Sequence, residues 1–153
     1  MTIKRRQQIW DNYFLEIADV VRRKSKDTST KCGAVIVGPD NQIVTTGFNG
    51  FPRGIKESDP KRWKRPIKYQ FVEHAERNAI YNAARFGVAL SGCTLYLVGM
   101  GSPCTECAKA IIQSGIVRVA VRAYKSVPET WGDDFDFAAA LMKEAGVKFV
   151  ELT

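Results

Sequence analysis

Apolar residues recur at helical spacing near the start of the chain, over residues 4–24. Their separation of three or four positions predicts an amphipathic helix whose apolar stripe faces the core. Asp11 falls outside this stripe. The residues that form the stripe are Trp10, Phe14, Ile17, Val20 and Val21.

Two short apolar runs rich in β-branched residues follow, at residues 32–37 and 42–47. Runs of this length and composition are typical of strands. Gly, Pro, Asp and Asn occupy residues 38–41, and these residues favour a tight turn. The pattern therefore predicts a β-hairpin.

The second half of the chain alternates helical and strand patterns. Helices are predicted over residues 75–86, 104–114 and 134–145, strands over 93–99, 116–122 and 147–152, and a loop over 124–133. One helix, a hairpin and then alternating helices and strands predict an α/β fold, a three-layer α/β/α sandwich around a five-stranded mixed sheet. The hairpin strands should be antiparallel, and the strands separated by helices should run parallel through right-handed crossovers. We find no repeat or linker, so residues 1–153 are expected to form one domain.

Residues 48–70 form a long polar stretch with several prolines, which predicts a loop. Loops of this length are uncommon unless they are functional or disordered. The loop is either a solvated, mobile segment or a lid or anion-binding segment beside the functional site. Its cations outnumber Glu57 and Asp59, and they are Arg53, Lys56, Lys61, Arg62, Lys64, Arg65 and Lys68.

The formal net charge of +7 favours anionic partners, such as a phosphorylated small molecule or nucleic acid. No apolar run approaches the roughly 20 residues of a membrane span, and the basic N-terminus is not followed by the apolar segment of a signal peptide. We therefore expect a cytoplasmic protein with no membrane partner. Cys32 and Cys93 lie in strand-like runs and are expected to be small buried hydrophobes, which suits a reducing compartment.

The chain carries one histidine, and it belongs to a metal-binding pattern. His74 is followed two residues later by Glu76, and Pro103 precedes Cys104 and Cys107. This H-x-E and P-C-x-x-C combination is the signature of zinc nucleobase deaminases. Three protein ligands would leave the fourth position of one Zn²⁺ ion to water, as in catalytic sites, and the metal would lower the pKa of that water to about 7. Glu76 is placed to transfer protons between water and substrate.

Both parts of the motif coincide with predicted helix starts. Cys104 and Cys107 are three positions apart and therefore share one face of a first helical turn. A second helix is expected to begin at Ala75. The positive ends of the two helix dipoles would then point at the metal and favour thiolates and the Glu76 carboxylate.

Further segments resemble the deoxycytidylate (dCMP) deaminases of the cytidine deaminase superfamily, and the resemblance covers nearly the whole chain. The segment over residues 47–54, which contains Asn49, is more diagnostic than the zinc motif that the superfamily shares. Thr28 stands where the family usually has proline, and Phe48 where tyrosine is common. The other segments are Ser25-Lys26-Asp27 and residues 32–37, 74–80 and 108–116.

The resemblance implies the hydrolysis of dCMP to dUMP and ammonia in pyrimidine deoxynucleotide metabolism, with Glu76 as the proton shuttle. It implies that the backbone at Ala75 and around Pro103 holds the pyrimidine. Asn49 would form a hydrogen bond with the deoxyribose. The residues expected to face the 5′-phosphate are Ser25 and Lys26.

The resemblance also implies regulation and assembly. Relatives of this kind are often homo-oligomers, commonly hexamers, which dCTP activates and dTTP inhibits, often with Mg²⁺. The effector contacts implied for this chain are Asn49, Gly50, Arg53 and Gly54.

Two alternatives stay open. A tRNA or other polynucleotide base deaminase would use the basic loop to bind RNA, although such an enzyme should not need the segment over residues 47–54, so nucleic acid is not the expected partner. A non-catalytic structural zinc module would need a fourth protein ligand. That ligand would have to be Cys32, Cys93 or Glu76.

Overall fold

The computed structural model describes residues 1–123 and 131–152. Most of the loop predicted over residues 124–133 therefore lies outside the described residues. The elements follow the predicted order, with ends that differ from the predicted ends by one or two residues. They are α1 (Ile3–Arg22), β1 (Gly33–Val37), β2 (Ile43–Phe48), α2 (Lys68–Phe71), α3 (Ala75–Phe86), β3 (Thr94–Gly99), α4 (Thr105–Gln113), β4 (Arg118–Ala123), α5 (Gly132–Glu144) and β5 (Lys148–Glu151).

The five strands form one mixed sheet in the order β2-β1-β3-β4-β5. β1 is antiparallel to both β2 and β3, whereas β3, β4 and β5 run parallel. The predicted five-stranded mixed sheet, with an antiparallel hairpin and parallel later strands, is confirmed. The hairpin strand β1 lies between β2 and β3 and runs antiparallel to both, so within this sheet it is the strand that opposes the direction of the others.

The core has two layers because successive strand residues point to opposite faces of the sheet. Ala34 and Ile36 of β1 pack with α3, α4 and α5, whereas Val35 and Val37 pack with α1. This arrangement gives the predicted three layers, with α1 alone on one face. Among the described residues, no helix has both the length and the apolar character to cross a bilayer.

Two positions of α1 differ from the prediction. Asp11 was predicted to lie outside the apolar stripe, but it is buried together with Phe14, Leu15 and Ala18. Val20 is 58% exposed, so its assignment to the core stripe is wrong. It is displaced from Ala18 by two residues, about 200° around the helix, and therefore faces the opposite side.

The segment over residues 48–70 contains two short helices where a loop without helix was predicted. They are a 3-10 helix at Pro60–Trp63 and α2. The Phe51 ring stacks on Trp63 and on Phe71, with centroid separations of 4.2 and 5.3 Å. This aromatic cluster joins residues that are far apart in sequence, and periodicity within a short window does not report such contacts.

Helix α3 lies unusually close to β2. A Cβ atom on Gly47 would lie 2.3 Å from the backbone nitrogen of Ala79 and 2.4 Å from the carbonyl oxygen of Ala75. The side chain of Asn82 donates to the Thr46 carbonyl at 2.7 Å across the same contact. The first turn of α3, which carries the metal-binding motif, is therefore held firmly against the sheet.

Candidate active site

His74, Cys104 and Cys107 meet where α3 and α4 begin. His74 is the residue before α3, Cys104 is the residue before α4, and Cys107 lies in the first turn of α4. His74 Nδ1 lies 3.4 Å from Cys104 Sγ and 3.4 Å from Cys107 Sγ. The structure thus brings together the three side chains that the motif singled out.

The geometry of this group fits zinc. Tetrahedral Zn²⁺ with Zn–N and Zn–S bonds of about 2.0 and 2.3 Å separates a nitrogen from a sulfur ligand by about 3.5 Å, close to the separations found here. Within the described residues, the group consists of these three side chains, and neither Cys32, Cys93 nor Glu76 belongs to it. Three ligands match an open, catalytic site rather than a closed structural one.

The electrostatic surroundings favour the thiolate form of Cys104 and the thiol form of Cys107. The pKa of Cys104 falls to about 4, first because the Cys107 thiol donates a hydrogen bond to it and then because of His74, although burial acts in the opposite direction. The pKa of Cys107 is raised by its hydrogen bond to Cys104 and by burial, and the charge of Arg77 opposes this rise. Arg77 Nε is buried and has no hydrogen-bond partner among the described residues. Arg77 also forms an ion pair with Glu73, so its charge acts both on that carboxylate and on Cys107.

Glu76 is buried beside this group, with 5% of its surface exposed. Burial raises the pKa of its carboxyl above the usual 4.5, and the charge of His74 opposes the rise only in part. A buried carboxyl with a raised pKa can both accept and release a proton near neutral pH. The arrangement is therefore suited to general acid and base chemistry.

His74, Cys104 and Glu76 open into a cavity of about 100 Å³. Five of the residues singled out from the sequence line it: Asn49, His74, Ala75, Glu76 and Cys104.

Asn49 is almost fully buried, and its side chain makes three hydrogen bonds at the cavity wall. Its Oδ1 accepts from the backbone N–H of Cys32 at 2.7 Å. Its Nδ2 donates to the Thr30 carbonyl at 2.8 Å and to Asp27 Oδ2 at 3.3 Å. Asn49 therefore ties the turn after α1 to the cavity wall, and one lone pair of Oδ1 stays free to accept from a ligand hydroxyl.

The remaining substrate residues expected from the resemblance do not line this cavity. Ser25 is buried, and its hydroxyl donates to the Asn49 carbonyl at 2.8 Å. Lys26 forms an ion pair with Glu57. Pro103 is buried, and its carbonyl accepts from the Ser102 hydroxyl at 3.1 Å.

Several cavity residues were not among the individual substrate or metal residues predicted from the sequence. Trp131 and Phe135 come from the start of α5, and no motif marks them. Arg65, Lys68 and Tyr69 come from the segment over residues 48–70, where the excess of cations had indicated an anion-binding role as one of two interpretations.

A second cavity is lined by residues of β2, α3 and the segment over residues 48–70. Gly50, Arg53 and Gly54 line it, whereas Asn49 does not. Gly50 and Glu73 pair through two backbone hydrogen bonds of 3.1 and 2.8 Å. Since Glu73 Oε1 also accepts from the N–H of His74 at 3.0 Å, the wall of the second cavity is bonded directly to a residue of the metal-binding group.

The chain is similar to known deaminases in sequence and structure. Residues 8–123 match the family model described as the cytidine and deoxycytidylate deaminase zinc-binding region. Deoxycytidylate deaminase of Mus musculus is 39% identical over 152 residues, which cover 94% of this chain and 80% of that protein. The Homo sapiens enzyme is 38% identical over 92% of this chain and 78% of that protein. The crystal structure of the dCMP deaminase from cyanophage S-TIM5 in complex with dCMP and dUMP superposes with a TM-score of 0.74 at 23% identity, over 99% of each chain, and so shares the fold.

Proposed function

Because the chain belongs to the cytidine and deoxycytidylate deaminase zinc-binding family, we propose that it hydrolyses dCMP to dUMP and ammonia. One observation carries the proposal: His74, Cys104 and Glu76 line a single buried cavity, with Cys107 directly behind them. The choice of dCMP is supported by the similarity to deoxycytidylate deaminases over most of both chains.

His74, Cys104 and Cys107 would hold one zinc ion. When bound, zinc supplies Lewis acidity that makes hydroxide accessible from water at neutral pH. The two helix N-termini and Arg77 stabilise the thiolates, because their positive ends and charge lie beside the sulfur atoms.

Glu76 would move the protons of the reaction. Its carboxylate accepts a proton from the attacking water and delivers it to N3 of the cytosine ring. It then takes the second proton from the hydroxyl group added at C4 and passes it to the amino group. The C4–N bond breaks, ammonia leaves and the C4 carbonyl forms. Burial raises the pKa of the Glu76 carboxyl, which favours its role as a proton carrier.

The backbone around the metal-binding group would hold the base. Ala75 is fully buried, lines the cavity and occupies the first position of α3. The N–H groups of a first helical turn have no partner within the helix, so that of Ala75 can donate to the pyrimidine carbonyl. The Pro103 carbonyl would accept from the amino group, and Asn49 Oδ1 would accept from the deoxyribose hydroxyl.

The test compares dCMP with deoxycytidine by the loss of cytosine absorbance, using protein shown to hold one zinc per chain. Turnover of dCMP with little turnover of deoxycytidine is the expected result. No turnover of either substrate would overturn the assignment. Deamination of a tRNA or single-stranded DNA by the same preparation would then identify a polynucleotide enzyme.

We also propose that the second cavity binds a deoxynucleoside triphosphate with Mg²⁺, with dCTP activating and dTTP inhibiting. A triphosphate needs positive charge and backbone amides, and the cavity offers the Arg53 guanidinium and the backbone at Gly54. Gly50 lines the cavity as well, with its N–H bonded to the Glu73 carbonyl. The Gly50–Glu73 pairing provides a short connection to His74. If saturating dCTP and dTTP changed neither the rate nor the melting temperature, this proposal would be wrong.

We propose that the protein assembles into a homo-oligomer, which would be a hexamer by family resemblance. Sedimentation velocity of the zinc-loaded protein, with and without dCTP, measures the mass directly. A species of the mass of one chain at every concentration would contradict the proposal.

A further inference from the structure

We propose that Arg65 binds the 5′-phosphate of the substrate and thereby determines the preference for a nucleotide over a nucleoside. This inference rests on the proposed function and assigns a residue to one part of the ligand. It concerns the outer part of the active-site cavity, which the metal-binding group and Glu76 do not occupy.

Few cations can reach a phosphate in this cavity. Of the seven Lys and Arg residues in the segment over residues 48–70, only Arg65 and Lys68 line it. Arg53 lines the second cavity instead, and Arg62 packs over the Phe71 ring.

The charge of Lys68 is already compensated. Lys68 is 6% exposed, and its Nζ lies 2.6 Å from Asp27 Oδ2 and 2.6 Å from the Ser29 hydroxyl. These contacts also hold the pKa of the Asp27 carboxyl below 3.8, although burial alone would raise it. The pair is therefore a buried contact without net charge that joins α2 to the turn that follows α1.

Arg65 differs from Lys68 in its exposure and in its ion pairing. It is exposed to solvent while lining the cavity, which places it at the opening. Among the described residues it forms no ion pair. Its guanidinium lies 5.8 Å from the ring centroid of Tyr69, another residue of the cavity wall, so the arginine is supported but keeps its N–H groups free.

This arrangement suits a phosphate monoester. A guanidinium can donate two parallel hydrogen bonds to phosphate oxygens. The metal-binding group and Glu76 lie at the inner part of the cavity, whereas Arg65 is exposed at its wall. The nucleotide would therefore enter with its base toward Glu76 and its phosphate toward Arg65.

The assignment differs from the one implied by the family resemblance. Ser25 and Lys26 were expected to face the phosphate, but neither lines the cavity. The charge of Lys26 is also used by Glu57.

The experiment measures kcat and KM for dCMP and for deoxycytidine with the zinc-loaded wild type, Arg65→Gln, Arg65→Lys and Lys64→Gln. Lys64 is the matched control because it is the adjacent exposed cation and does not line the cavity. Binding of the product dUMP and of deoxyuridine is measured by calorimetry with the same four proteins, which gives a readout independent of turnover.

For Arg65→Gln we expect the ratio of kcat/KM for dCMP to that for deoxycytidine to fall by about 10- to 100-fold, because one charged hydrogen-bonded contact is lost. The loss should appear in KM for dCMP rather than in kcat. The affinity for dUMP should fall by a similar factor. Arg65→Lys should recover part of the loss, and Lys64→Gln should behave as the wild type.

Two results would overturn the assignment while the proposed function stands. One is an unchanged substrate ratio in Arg65→Gln with normal dCMP turnover by the wild type. The other is an equal loss in Lys64→Gln, which would show that the general positive field of the segment attracts the phosphate. Absence of dCMP turnover in the wild type would overturn the proposed function, and the assignment of Arg65 with it.

Discussion

Asp11 of α1 and Arg118 of β4 form a two-pronged ion pair between the helix layer and the sheet. Arg118 Nη1 lies 2.9 Å from Asp11 Oδ1, and Nη2 lies 2.8 Å from Oδ2. The Tyr96 hydroxyl of β3 donates to the same Oδ1 at 2.9 Å. The pair joins residues that are 107 positions apart, and both side chains are largely buried.

Replacement of Arg118 by Met should lower the free energy of unfolding by about 3–5 kcal/mol, because it leaves a buried carboxylate without its cation. Urea unfolding of the zinc-loaded protein measures the change. Arg122→Met in the same strand is the control, since Arg122 bonds only to the neutral side chain of Asn12 among the contacts found here and should cost less. An equal cost for both variants would contradict the argument.

The Asp11 pair should also make stability depend on pH in acid. Burial by itself would raise the pKa of Asp11, but hydrogen bonds from Arg118, Gln7 and Tyr96 outweigh it and hold the pKa below the usual 3.8. The folded protein therefore binds fewer protons than the unfolded chain just below pH 3.8, and the stabilisation present above that pH is lost as pH falls through the folded pKa. Urea midpoints between pH 6 and pH 2.5 should fall more steeply for the wild type than for Asp11→Asn. Parallel curves would count against this interpretation.

Replacement of Glu76 by Gln should reduce kcat for dCMP by at least about 10³-fold, since general acid and base catalysis contributes on this scale. Zinc content and fold should be retained. Rates, metal analysis and circular dichroism of the same preparation provide the measurement. Glu106→Gln is the control, because Glu106 is an exposed acid in the first turn of α4 that pairs with Lys109. Activity of Glu76→Gln close to that of the wild type would favour the non-catalytic zinc module.

Replacement of Cys104 by Ala should reduce the zinc content from one per chain to a small fraction, because two ligands hold zinc poorly. The melting temperature should fall as well, since an ion that binds only the folded state stabilises it. Cys93→Ala removes a buried thiol outside the metal-binding group and should keep its zinc. Elemental analysis after gel filtration distinguishes the two, and equal zinc in both variants would exclude Cys104 as a ligand.

Gly47→Ala should destabilise the protein by about 1–3 kcal/mol or more, because the new Cβ would meet backbone atoms of α3 that cannot move aside. The first turn of α3 would be pushed from the sheet, so zinc affinity should fall in a competition titration with a chelator. Gly132→Ala is the control, since a Cβ there meets nothing within 4 Å. Unchanged unfolding and zinc binding in Gly47→Ala would show that the contact has more room than the structure indicates.

The tertiary structure also separated two neighbours that the sequence had placed together. Asn49 and Gly50 were both assigned to an effector site, yet Asn49 lines the active-site cavity and Gly50 the second one. Asn49 lies in the bend after β2, where its side chain bonds to Cys32 and Thr30, whereas Gly50 pairs with Glu73. A motif written as a continuous string does not show which side each residue takes.

The sequence by itself determined the order of the elements, the five-stranded mixed sheet and the metal-binding group, because helical and strand periodicity and the spacing of Cys104 and Cys107 are local properties. Other features depended on contacts between distant segments. The burial of Asp11 required Arg118, and the neutralisation of Lys68 required Asp27. Only the folded chain showed that Arg65, among the residues described, is the cavity-lining cation without an ion-pair partner. The reason is that the ion pair of Lys68 with Asp27 forms between distant segments, which the sequence does not bring together.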